Sequence, residues 1–189
     1  MPHSPETIRE FVIAAHFDLA KVKAMLLADA SLLDVEHQWG PNDFESGIGA
    51  AAHVGSRAIA EFLLSQGAPS NICVAAMLGQ TDEVRRYLDG DASLANARGA
   101  HGISLMFHAA MSGNTALTGL LRERGCAEGY DDALHAAISR GHKDMVTWLL
   151  DNGAADLQVQ NYQGKTPLQN AVDSNQPEIA DLLRQRGAQ

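Results

Sequence analysis

Basic side chains are scarce in this chain. Its 189 residues hold 14 Lys and Arg against 23 Asp and Glu, a formal net charge of −9 at pH 7. A surface of that sign repels phosphate backbones and anionic headgroups, so neither a nucleic acid nor a membrane is the expected partner. A partner with basic groups is favoured instead. Cysteine is limited to Cys73 and Cys126, with no metal-ligand spacing, and both are expected as buried, reduced thiols. No apolar run reaches the ~18 residues that a membrane span needs. The N-terminus lacks a positive stretch followed by an apolar core, so a signal peptide is not expected and the cytoplasm is the default compartment. Catalytic signatures are missing too: there is no Gly-rich phosphate loop, no H-E-x-x-H and no G-x-S-x-G. The expectation is a protein that is not an enzyme, carries no cofactor and is monomeric. Disorder is also excluded, because 46% of the residues are apolar.

What the chain does have is repetition. Phe11, Ile48, Ile72, Met106, Leu134 and Leu168 each open a similar unit, at steps of 37, 24, 34, 28 and 34 residues. Three positions after each anchor stands an alanine: Ala14, Ala51, Ala75, Ala109, Ala137 and Ala171. Small side chains there let a short inner helix lie close to its neighbour. Seven positions after the anchor come Asp18, Gly55, Gly79, Gly113, Gly141 and Asn175, residue types that tolerate the left-handed turn at a helix end. A second helix follows, with apolar residues at helical spacing such as Ile59, Phe62 and Leu63, or Met145, Trp148 and Leu149. Ser46, Ser70, Ser104, Asp132 and Thr166, two residues before their anchors, are expected to cap the inner helices. The first helix is expected to start earlier, at Ser4-Pro5-Glu6.

The segments DALHAAISRGHKDMVTWLLDNGA and GKTPLQNAVDSNQPEIADLLRQRGA carry this pattern most fully. They resemble the ankyrin repeat, whose period is ~33 residues. The resemblance implies an all-α ankyrin-repeat solenoid of stacked helix–turn–helix units with short β-turn fingers. It implies one domain over 1–189, with units near 1–34, 35–69, 70–97, 98–126, 127–157 and 158–189. It also implies structural hydrogen bonds for His135 and His142, and a binding role on the concave face.

The connectors are the most individual part of the sequence. From the end of each outer helix to the next anchor they run 18, 5, 15, 9 and 15 residues. Fingers are therefore expected before units two, four and six, none before unit three, and a clipped one before unit five. The longest connector carries Trp39 and Phe44. Trp39 is read equally as a packed residue and as a binding anchor, and Phe44 as a staple that packs beside the helix cap. DASLLD (29–34) and DASLAN (91–96) are read as turns that shape the fingers.

The residues just before each inner-helix turn decide the functional expectation. They include Phe17, Val54, Met77, Leu78 and Met111, an apolar series expected to face solvent inside the curve. Together with Trp39 they are the expected contacts for a peptide or protein edge with apolar side chains and basic flanks. His101, Ile103, Tyr162 and Lys165 are expected at finger tips as a polar rim. One alternative is an inhibitor or immunity-type regulator of a single cognate enzyme, favoured by an acidic rim that steers a basic partner. A further, weaker alternative is a metal-dependent or enzymatic role using His16 and His53, with His37 as a third group; it requires three ligands about 2.0–2.2 Å from one ion.

Overall fold

A computed structural model describes residues 3–154 and 156–189. Its inner and outer helices alternate along the chain. Unit one contains α1 (Pro5–Phe17) and α2 (Leu19–Ala28). A hairpin of β1 (Glu36–Gly40) and β2 (Asp43–Ser46) leads into α3 (Gly47–His53) and α4 (Arg57–Ser65). Then come α5 (Ile72–Met77) with α6 (Thr81–Gly90), α7 (Leu105–Met111) with α8 (Thr115–Glu123), α9 (Tyr130–Ser139) with α10 (Lys143–Asn152), and α11 (Pro167–Asp173) with α12 (Pro177–Gln185).

The expected turn chemistry holds in five of the six units. Gly55, Gly79, Gly113, Gly141 and Asn175 all take positive φ, between 54° and 72°. Asp18 departs, at φ −121°, and its carboxylate instead caps α2 by accepting from the Lys21 N–H at 2.9 Å. Four expected helix starts also hold. Ser4 caps α1, Ser46 caps α3, Ser104 caps α7, and Thr166 forms a capping box with Gln169 at the start of α11. The other two shift. Asn71 rather than Ser70 caps α5, its amide oxygen accepting from the Val74 N–H at 3.0 Å. Gly129 rather than Asp132 precedes α9, because at φ 82° it lets the helix begin a turn early.

The connectors fold as their lengths dictate. The longest connector holds the β1–β2 hairpin, with a bulge between Gln38 and Gly40. The fourth unit's finger is closed by an Arg98–Ser104 bridge and a bond from the Gly99 N–H to the Ile103 carbonyl at 2.8 Å. The sixth unit's finger turns between Asn161 and Lys165. Both DAS segments form short 3-10 turns. In each, the Asp carboxylate accepts from the N–H and the hydroxyl of the Ser two residues on: Asp29 from Ser31, and Asp91 from Ser93.

The apolar interior divides into two bodies. One holds Phe11, Val22, Ile48, Ile59 and Leu63, and extends to Val74 and Met77 of α5 and to Leu78 just after it. The other starts from Ile72, Cys73, Ala75 and Ala76 on the same short helix and runs to Leu183. Met111 touches both. Each buried Leu, Ile or Phe contributes about 1.5–3 kcal/mol relative to exposure.

The apolar pre-turn series is broken by this packing. Met77 and Leu78 are only 2% and 5% exposed. The expectation that they face solvent is therefore corrected. With no finger before unit three, these two side chains pack into the first apolar body, and Arg57 donates to the Leu78 carbonyl at 2.9 Å. Val54 and Met111 are half-buried. Phe17 is the member of the series that stands in solvent, at 75% exposure.

Candidate functional site

Glu45 is the centre of the most unusual surroundings in the molecule. Strand alternation in β2 sends it inward, to 1% exposure, and sends Phe44 out to 50%. Phe44 thus does not pack as a staple; the residue beside the Ser46 cap is Glu45, and the pleat turns the two apart. A buried carboxylate is costly unless donors surround it. Here the Trp39 indole N–H donates to Glu45 Oε2 at 2.7 Å. His53 Nδ1 lies 2.8 Å and His101 Nε2 3.4 Å from Oε1, while His16 Nε2 lies 3.7 Å from Oε2.

Three repeats supply these groups. His16 and His53 hold the same pre-turn position in units one and two, so stacking α1 on α3 brings their rings to 4.9 Å between centroids. His101 comes from the finger of unit four, and its ring lies 5.1 Å from that of His53. It reaches so far because unit three has no finger to intervene. Its main-chain N–H and its Nδ1 meet the two oxygens of Asp43 at 3.0 and 2.8 Å. His37 is the cross-strand partner of Glu45, but its ring lies edge-on against Trp39 at 4.4 Å.

The tautomers follow from the partners. His16 Nδ1 sits 2.9 Å from the Val12 carbonyl. A carbonyl only accepts, so Nδ1 carries a proton and Nε2 is the nitrogen turned toward Glu45. The Asp43 carboxylate imposes the same arrangement on His101. Burial pushes the Glu45 carboxyl up, but the His53 contact, the Trp39 N–H and the nearby His16 together hold it below the ordinary carboxylate range. The bond from His101 likewise holds Asp43 low, against a smaller cost of burial.

The remaining expected site residues are scattered. Trp39 is partly packed and partly exposed, with the Arg9 guanidinium 5.7 Å from its ring centroid. Ile103 is half-buried. Tyr162 stands free at the tip of the last finger, and Lys165 pairs with Asp173 at 2.8 Å. Arg140 of unit five donates to the Val54 carbonyl of unit two, which partly covers that turn. Sequence reasoning missed Glu45 and Asp43. The register shared by His16 and His53, and the expected binding roles of Trp39 and His101, pointed to this place.

The array of paired helices, left-handed turns and fingers agrees with the comparisons to known proteins. A family model described as "Ankyrin repeats (3 copies)" matches residues 72–155 and 106–189, more than half of the chain. The chain belongs to the ankyrin-repeat family. The human ASB11 ankyrin repeat domain superposes with a TM-score of 0.57 at 25% identity, covering 77% of this chain and 71% of that one. An ankyrin-repeat protein of fowlpox virus is 30% identical over 115 residues, which is 58% of this chain and 26% of the relative. A transient receptor potential cation channel subfamily A member 1 homolog of Caenorhabditis elegans is 48% identical over 59 residues, 31% of this chain and 5% of the channel protein. The chain thus spans about a quarter or less of these curated relatives.

Ankyrin repeats generally act as protein–protein interaction modules. The two family histidines behave structurally: His135 Nε2 meets the Val159 carbonyl and His142 Nε2 the Met111 carbonyl, each at 3.1 Å. No helix among the described residues is long and apolar enough to cross a membrane.

Proposed function

We propose that this ankyrin-repeat chain binds a protein partner at the first finger and the adjoining end of α1. The partner element is a peptide or protein edge with apolar side chains and basic flanks. One observation carries the reading: Phe17 and Phe44, on adjacent repeats, are 75% and 50% exposed although each has the bulk of a core residue. Trp39, held rigid by its bond to Glu45, supplies a third aromatic surface between polar groups. Aromatic anchors of this kind carry most of the energy of an interface, at about 1–4 kcal/mol each on truncation. Val54 and Met111 contribute partial apolar surface. His101, Ile103, Tyr162 and Lys165 form the rim along the later fingers. The net charge of −9 favours a basic partner.

The test is affinity capture from the native organism with the wild-type chain and with a Phe17→Asp/Phe44→Asp double variant, read by mass spectrometry. At least one protein retained by the wild type is expected to fall tenfold or more on the variant, with the helical circular dichroism unchanged. An identical retained set would refute the reading. Binding that weakens steeply with added salt is expected for the same partner.

A further inference from the structure

The arrangement around Glu45 has a feature that its hydrogen bonds do not explain. Oε2 takes the Trp39 N–H, but Oε1 and His53 Nδ1 are both buried and neither makes an aligned hydrogen bond, although they lie 2.8 Å apart. Two polar atoms sealed from water at this separation are normally bonded to each other or to a third atom. These two do not point along the line between them. The third group of the cluster, His16 Nε2, lies 3.7 Å from Oε2, its opposite nitrogen anchored to the Val12 carbonyl.

We propose that His16, Glu45 and His53 form a binding site for one divalent transition-metal ion of the zinc class. Two imidazoles and a carboxylate are a ligand set for such ions. One ligand atom from each residue lies within 4.8 Å of the other two. Tetrahedral bonds of about 2.0–2.1 Å put neighbouring ligand atoms about 3.3 Å apart. The carboxylate meets His53 through Oε1 at 2.8 Å and His16 through Oε2 at 3.7 Å, two oxygens at separations on either side of that value. Small rotamer adjustments bring all three to bonding distance.

The outer groups are also those of a metal centre. A ligating histidine is held by a carbonyl or carboxylate on its second nitrogen, and His16 has the Val12 carbonyl. His101, with its second nitrogen on Asp43, points Nε2 at Glu45 from 3.4 Å and stands ready as a fourth donor or as a bond to a metal-bound water. The carboxylates of Glu45 and Asp43 supply negative charge that an incoming cation offsets. The His16 and His53 side chains are 18% and 13% exposed, so an ion has a way in. A bound ion would join units one and two through side chains alone.

The experiment uses untagged chain stripped with EDTA and dialysed. Zinc is titrated by calorimetry against a competing chelator, and cobalt is added separately to read its visible d–d bands. One ion per chain is expected, with the intense bands of four-coordinate cobalt. Glu45→Gln, which keeps shape, and His16→Ala, which removes the most accessible ligand, are each expected to weaken zinc binding at least tenfold. His3→Ala, remote from the cluster, is expected to leave it within twofold. Circular dichroism confirms that each variant is folded; if Glu45→Gln is not, His16→Ala and the cobalt spectrum decide. Absence of saturable one-to-one uptake by the wild type, or wild-type affinity in His16→Ala, would overturn the site.

Discussion

His101 and Asp43, separated by 58 residues of sequence, are joined twice: the carboxylate receives both the main-chain N–H and the imidazole Nδ1–H of His101. His101 sits at φ 57°, a left-handed conformation uncommon for a residue with a side chain. The double contact holds it there. Replacing Asp43 with Ala removes both bonds. The His101 amide is then expected to exchange with solvent at least tenfold faster, while amides of α10 and α12 keep their protection. Hydrogen exchange followed by NMR measures this directly, and Asp43→Asn is expected to show a smaller change.

Acid is expected to weaken the fold through His108. Its imidazole is buried, with Nδ1 on the Ser104 carbonyl at 2.8 Å, and burial lowers its pKa from 6.5 to about 4. The unfolded chain takes up the proton near 6.5, and the folded chain resists it until about 4. Stability from this residue is therefore complete above 6.5 and is lost as the pH falls toward 4. The loss at pH 5 is about 2 kcal/mol. Burial lowers His135 as well, with the same sign. Urea denaturation at pH 7 and pH 5 tests this, and His108→Gln is expected to flatten the dependence.

Two glycines are expected to respond in opposite directions to alanine. Gly129 has φ 82°, and a Cβ there would run into the Ser104 side chain that caps α7. Gly129→Ala is expected to cost about 2–4 kcal/mol, from the left-handed backbone and the clash together. Gly119 lies inside α8, and a Cβ there meets nothing within 4 Å. Gly119→Ala is expected to stabilise by about 0.5–1 kcal/mol, by removing backbone freedom from the unfolded chain. Thermal melts of the two variants give the comparison.

Asn170 is a polar tie between the last two repeats. It is buried, and its amide donates to the His135 carbonyl at 3.0 Å and to the Ser139 hydroxyl at 3.2 Å. Asn170→Ala removes both bonds from a buried position, while the Ser139 hydroxyl still donates to the His135 carbonyl at 3.0 Å. A loss of about 2 kcal/mol is expected by chemical denaturation.

The repeat pattern was readable because it is enforced locally. A helix end that needs a left-handed residue selects Gly or Asn, and Gly55, Gly79, Gly113, Gly141 and Asn175 announce it. Connector length likewise foretold where fingers stand and where one is missing. The Glu45 cluster was not readable in the same way. Its groups come from α1, β2, α3 and the finger at His101, and only three-dimensional stacking unites them. Glu45 itself looks like an ordinary acidic residue before a helix; the pleat of β2, not its type, buries it. Met77 and Leu78 were misplaced for a related reason. Their position in the repeat is usually solvated, but the absent neighbouring finger changed what surrounds them.

The split of the apolar interior along α5 gives this array a fault line. A stacked array separates first where the junction between neighbours is thinnest. Here the thin place is a helix of six residues whose two sides belong to different halves. Heat or mechanical tension should therefore part the molecule in the third repeat, leaving two blocks that melt in sequence. His16, Glu45 and His53 ride on the first block and His101 on the second, so the Asp43–His101 clasp would be the first long-range tether to feel the strain.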